Sequence, residues 1–207
     1  VKDCIKLNLT AKNKIEVIDE LVDVLYDAGR LNDKDEFRKT ILKREEQSST
    51  GLEEGIAIPH GKSLSVKLPT VAFGLSKEGI DYGSLDGEPS KLFFMIAAPA
   101  DATDSHIETL SQLTSLLLDD DIREQLLHVK TKQDVLDILL KGEVSEENSS
   151  SAKEDKSNDY QVLAVTSCPT GIAHTYMAAE ALNKKAKEMG VKIKVETNGS
   201  TGVKNHL

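Results

Sequence analysis

The sequence predicts an α/β protein built in two parts with a tether between them. Three observations carry that reading. Short apolar runs bounded by Gly and Pro interleave with stretches of helical periodicity, a strand–loop–helix–strand order closes the chain, and an acidic segment almost free of apolar residues divides the two parts. With 207 residues, 39% apolar and 29% charged, there is material for a buried core in one large domain or two small ones.

In chain order, Ile5, Leu7 and Leu9 alternate as in an opening strand. Ile15, Ile18, Leu21, Val22 and Leu25 recur at helical spacing, and Gly29 marks the stop. A second helix is expected over 33–47, with Phe37, Ile41 and Leu42 on one face. GIAIPHG, TVAFGLS and KLFFMIAAPA then read as three short strands. From Asp104 the pattern turns helical again, with Ile107, Leu110, Leu113, Leu116 and Leu117 in one stripe. Two more helices fit 120–129 and 131–141, the second opened by a Thr cap. His128, among Leu126, Leu127 and Val129, is expected to be a partly buried structural residue.

Residues 1–142 carry 18 basic and 26 acidic side chains, residues 143–159 carry 2 and 6, and residues 160–207 carry 6 and 3. The middle segment, EVSEENSSSAKEDKSND, offers only Val144 and Ala152 as apolar groups, too few to offset its ordering entropy, so it reads as a flexible tether. Such a chain spans roughly 20–25 Å on average. In the last segment QVLAVTS reads as a buried strand, CPTGIAHT as a loop, YMAAEALNKKAKEMG as a helix ending at Gly190, and VKIKVET as a second strand. One such unit leaves its sheet edge and helix face largely uncovered, so 160–207 is expected to be a truncated βαβ piece of a larger parallel-sheet domain.

Composition narrows the function. A net charge of −9 argues against a nucleic-acid binder, which needs a basic footprint. The longest apolar run, 92–100, falls short of the ~20 residues a membrane helix needs. VKDCIKLNLT has no apolar signal-peptide core, and Cys4 and Cys168 suit a reducing compartment better than a disulfide scaffold, so the expected setting is cytoplasmic. Cys4 and His206 suggest no role.

Two constellations carry chemistry. His60, in GIAIPHGK, is expected where a strand gives way to loop, and a neutral imidazole there is a nucleophile toward phosphorus and a good leaving group. Spacing alone favours a loop histidine that merely caps the strand. His106, at a helix start in TDSH, and Arg44, at the end of the second helix, are the donor types that neutralise phosphoryl oxygens. Arg44 reads equally as an ion partner of Glu45 or Glu46 on a solvated face. The second constellation is CPTGIAHT, placed between strand and helix as in loops whose backbone N–H groups surround an anion. Cys168 at the strand end faces those donors and the helix dipole, which favour its thiolate. Pro169, Thr170, Gly171, Ile172, Ala173, His174 and Thr175 form the cradle. The competing reading is a buried, inert cysteine beside a helix cap. Zinc fits poorly, since no CxxC is present. Thiol phosphatases of the C-x5-R-[ST] type put an Arg at the sixth position after the Cys, where this chain has His174, so a phosphocysteine here is expected to wait for an acceptor.

On REEQSSTGLEEGIAIPHGK and SHIETLSQLTSLL, residues 1–142 resemble the fructose/mannitol-type enzyme IIA domain of the sugar phosphotransferase system. On VTSCPTGIAHTYMAAEAL and VETNGSTG, residues 160–207 resemble the first half of the fructose-type enzyme IIB domain. The resemblance implies a IIA fold with a mixed sheet flanked by helices and a IIB fold with a parallel sheet. It implies that His60 takes a phosphoryl group from the phosphocarrier protein HPr, assisted by His106 and Arg44, and that Cys168 takes it next. The sugar, fructose at family level, then receives it at a membrane IIC domain. The transfers demand no metal or cofactor. A regulatory IIA-like module is the alternative, and a thiol phosphatase the more remote one.

Overall fold

The computed structural model describes residues 2–103, 110, 112–147, 160–168, 173–199 and 202–205. The first unit is organised around one strand that is buried on both faces. β5 (Ser90–Pro99) pairs antiparallel with β4 (Thr70–Ile80), which in turn pairs parallel with the opening β1 (Ile5–Lys6). On its other edge β5 pairs parallel with β2 (Ile56–Ala57) and then with β3 (His60–Ser63). This is the expected mixed sheet.

The unbroken apolar run LFFMIAA follows from that position. Leu92, Phe94, Ile96 and Ala98 face one core with Ile58, Leu116, Leu126 and Val135. Phe93, Met95 and Ala97 face the other with Leu21, Leu25, Phe37 and Ile41. A strand covered on both sides has no polar face to alternate with.

GIAIPHG is not one strand that ends at the histidine. β2 and β3 keep the same register on β5, Ile56 opposite Leu92 and His60 opposite Ile96, and the ladder is interrupted between them. Pro59 has no N–H to donate, although its carbonyl still accepts from Ile96 N at 2.9 Å. His60 therefore opens a strand.

Around the sheet lie α1 (Lys14–Asp27), capped by Asn13, and α2 (Lys34–Glu45), capped by Asp33, each cap accepting from the third residue on. Gly29, at φ +69°, lets the chain turn out of α1. Helical residues 112–115 lead into a 3-10 turn, Leu116–Leu118, while most of the expected start of that helix lies outside the described residues. α3 (Asp120–Leu127) and α4 (Lys132–Glu147) follow, the latter with the expected Thr131 cap on Asp134 N at 3.1 Å. α4 continues to Glu147, into the segment whose composition reads as tether. His128 is exposed, its Nδ1 3.5 Å from the Glu124 carboxylate, so the expectation of partial burial fails: it caps α3 facing away from the leucines.

The second unit is β6 (Val162–Ser167), α5 (His174–Glu188) and β7 (Ile193–Gly199), with β6 and β7 parallel as expected. β8 (Gly202–Lys204) adds an antiparallel strand that composition did not suggest. β6 is not the buried strand its sequence implies: Val162, Leu163 and Val165 are exposed, since α5 packs on only part of this small sheet. α5 begins at His174, two residues before the expected Tyr176, which brings that histidine into its first turn.

α2 sits hard against β3 because position 61 has no side chain. A Cβ on Gly61 would stand 2.9 Å from Thr40 Cγ2 and 3.1 Å from Ile41 Cδ1. Gly61→Ala is expected to lower stability by about 1–3 kcal/mol through overpacking, read as an earlier midpoint in denaturant unfolding. An unchanged midpoint would mean that the helix yields freely.

Candidate functional site

Arg44 lies in the last turn of α2, 4% exposed, with Nη1 donating to the Ser48 carbonyl at 2.9 Å. The solvated ion pair considered for it does not form; among the described residues its hydrogen bonds go to Ser48 and His174. The neighbouring Glu45 is instead the hub of a buried network. It accepts from Lys14 Nζ at 3.1 Å, from Tyr82 OH at 3.2 Å and from Thr50 N and Oγ1. Burial and the Glu45 carboxylate push the Tyr82 phenol well up. The network ties the end of α2 to α1 and to the loop after β4. Spacing gave no hint of it, because Lys14 and Tyr82 stand 31 and 37 positions from Glu45.

His60 is fully buried, and its Nδ1 lies 2.7 Å from the Ile58 carbonyl. A carbonyl can only accept, so Nδ1 carries the proton and the neutral ring keeps its lone pair on Nε2. No sequence signal marks Ile58 for this, since the group involved is backbone.

The second unit closes over this ring. The His174 ring centre is 5.0 Å from that of His60, the planes at 87°. Arg44 Nη2 lies 3.3 Å from His174 Nδ1, across 130 positions of sequence. Ala173, at the α5 N-cap, and Met177 join the apolar cluster of Ile58 and Ile96. Burial, then the charges of His174 and Arg44, hold His60 down to about 3. Burial and Arg44 hold His174 down to about 4 against the pull of Glu45. Both rings are therefore neutral near pH 7.

Four polar atoms here are buried with no hydrogen-bond partner among the described residues: Arg44 Nε, His174 Nε2, Thr175 Oγ1 and Tyr176 OH. Each such atom costs about 1–3 kcal/mol. Two of them, Arg44 Nε and His174 Nε2, belong to the side chains that meet beside His60, and they suit a guest rich in acceptor oxygens. Among the described residues no cluster of His, Cys, Asp or Glu could hold a metal ion.

Of the residues singled out by sequence, the fold thus brings together His60, Arg44, Ala173, His174 and Thr175. Cys168 follows directly on β6 and is half-buried. His106, Pro169, Thr170, Gly171 and Ile172 lie outside the described residues.

Comparison with known proteins gives two family matches. Residues 1–142 match the model for the phosphoenolpyruvate-dependent sugar phosphotransferase system, EIIA 2. Residues 163–206 match that for the PTS system, lactose/cellobiose specific IIB subunit. The PTS system fructose-specific EIIABC component of Bacillus subtilis (strain 168) is 53% identical over 209 residues, covering all of this chain and 33% of the relative. The crystal structure of nitrogen regulatory protein IIA-Ntr from Neisseria meningitidis is 32% identical, with a TM-score of 0.62 over 67% of this chain and 94% of that one. A solution structure of enzyme IIAMTL in complex with phosphorylated enzyme IIBMTL from Escherichia coli is 28% identical, with a TM-score of 0.57 over 67% and 95%. The chain spans about a third of the length of the curated EIIABC relatives it matches.

The buried rings make closure sensitive to acid. Opened to water, each would titrate near the ordinary ~6.5. The closed form, with both values lowered, then binds fewer protons than the open form. Closure is thus fully favoured above about pH 6.5 and weakens as pH falls toward 4, by up to about tenfold per pH unit for each ring. Paramagnetic relaxation between the units at pH 7.5 and pH 5 reads this directly, and an equally close contact at pH 5 contradicts it.

Proposed function

Because the chain belongs to the EIIA 2 family of the phosphoenolpyruvate-dependent sugar phosphotransferase system, we infer that it relays a phosphoryl group from one side chain to another. His60 is the first acceptor and Cys168 the second. The observation that carries the reading is the meeting of the two units at His60: a neutral imidazole with a defined tautomer, met by the buried His174 of the unit that holds the cysteine.

The chemistry follows from the tautomer. The Nε2 lone pair of His60 attacks phosphorus as the bond between phosphorus and the donor's side chain breaks and that side chain leaves. The Ile58 carbonyl keeps Nδ1 protonated, so the product ring is a phosphorylated imidazolium. Attack by the Cys168 thiolate forms the S–P bond as the Nε2–P bond breaks, and His60 leaves as a neutral imidazole, ready for another cycle. Both steps are in-line displacements in which positioning and charge neutralisation lower the barrier. Arg44, with His106 as implied by the resemblance, neutralises the oxygens at His60. Residues 169–175 do so at Cys168.

The donor on this reading is the phosphocarrier protein HPr. The final acceptor is a sugar at a membrane IIC component, and the name of the Bacillus subtilis relative points to fructose. No helix among the described residues is long and apolar enough to cross a membrane; on this reading the chain meets the inner membrane face through that component. Within the chain the domains divide as 1–142, tether 143–159 and 160–207, and the tether keeps the cysteine unit near His60 at an effective concentration on the order of millimolar. A second reading, a phosphorylation-dependent regulatory module, draws support from the likeness to nitrogen regulatory protein IIA-Ntr. It gives Cys168 nothing to do.

Mass spectrometry at neutral or alkaline pH after incubation with phosphorylated HPr tests the relay. His60→Ala is expected to leave both sites unlabelled. Cys168→Ser is expected to leave phospho-His60 intact, and a histidine that also stays unlabelled would reverse the proposed order.

With free thiol acceptor and sugar withheld, phospho-Cys168 is expected to persist. Steady release of inorganic phosphate would instead mark a thiol phosphatase.

A further inference from the structure

The loop's sixth position after the cysteine has a histidine where thiol phosphatases of the C-x5-R type hold their guanidinium. The fold supplies a guanidinium there all the same, from the other unit: Arg44 Nη2 stands 3.3 Å from His174 Nδ1. This contact fixes more than a distance. An arginine has donors and no acceptor, so His174 Nδ1 must accept, and the proton of the neutral ring sits on Nε2. His174 is thereby the opposite tautomer to His60, which protonates Nδ1 against Ile58. The two rings meet edge to face with centres 5.0 Å apart. The His174 Nε2–H is buried and has no partner among the described residues.

We propose that His174 is a catalytic residue of the onward step: its Nε2–H, held in place by Arg44, donates to the phosphoryl oxygens while phosphorus passes from His60 to Cys168. This rests on the relay and gives one residue of the cradle a role of its own. The bond changes are those of the relay, with the His60 Nε2–P bond broken, the Cys168 Sγ–P bond formed and the His174 proton retained. Burial and Arg44 lower the His174 value to about 4, which keeps the ring neutral and in this tautomer through the physiological range. The guanidinium belongs to the first unit, so the donor is oriented only while the units are closed. A phosphocysteine carried away on the open unit leaves Arg44 behind.

The test is a rapid-quench time course on the 207-residue chain mixed with phosphorylated HPr, following phosphohistidine and phosphocysteine separately. In His174→Ala, phospho-His60 is expected to accumulate, with its transfer to Cys168, measured from the phospho-His60 already formed, slowed about 10²–10³-fold, the usual cost of one preorganised donor. His174→Gln, whose amide nitrogen can occupy the place of Nε2, is expected to recover at least tenfold of that loss. Nitrogen-15 spectra of the chain labelled in histidine are expected to show His174 with Nδ1 bare and Nε2 protonated. Transfer in His174→Ala within about threefold of the unaltered rate, a Gln variant no faster than Ala, or the reverse tautomer each overturns the proposal while leaving the relay standing. If the unaltered chain never labels Cys168, the relay itself falls and the role of His174 falls with it.

Discussion

His60 keeps its Nδ1 proton because the Ile58 carbonyl lies 2.7 Å away, and the rest of the site depends on which nitrogen is left with the lone pair. That carbonyl lies on the outer edge of the sheet, away from β5. Ile58 and Pro59 sit between two strand segments that share one register on β5, and the Ile58 N–H bonds away from β5 to the Thr50 carbonyl at 2.9 Å. An edge strand leaves its outward carbonyls without a ladder partner, and here one of them orients a side chain two positions ahead.

The scaffold keeps that geometry stiff. β5 is covered on both faces, so neither core can relax without moving the strand that carries β3. On the α2 side the missing side chain at position 61 lets the helix approach, and the Glu45 network anchors its end. Arg44 is thus delivered from a helix terminus fixed by buried polar contacts. A long, flexible cation becomes a directional donor because its neighbours leave it few other places to go.

Much of this was legible in the residues. The strand-to-helix junction around CPTGIAHT was legible, with a strand ending at Ser167 and a helix starting at His174, because buried-strand composition and helical period are both local. The helices and β5 were legible from period and from unbroken apolarity. The interruption of GIAIPHG was half legible: proline signals a break, but only pairing with β5 reveals that a strand resumes after it. The exposure of His128 and of β6 was not, since both depend on which neighbours cover a surface. Least accessible was the contact between Arg44 and His174, 130 positions apart, together with the tautomers it and Ile58 impose. Proton placement on an imidazole is decided by partners that sequence cannot bring together.

The complete burial of His60 has a thermodynamic corollary. Any macromolecule approaching that ring from outside competes with a lid that is covalently part of the same chain, and it can bind only the fraction of molecules whose lid is away. Its apparent dissociation constant is the intrinsic one divided by that fraction. A lid shut in about 99 molecules of 100 weakens every external visitor roughly a hundredfold, whatever the quality of the visitor's own contacts. Solvent acidity, which leaves the binding face untouched, becomes a dial that sets how readily this histidine is visited.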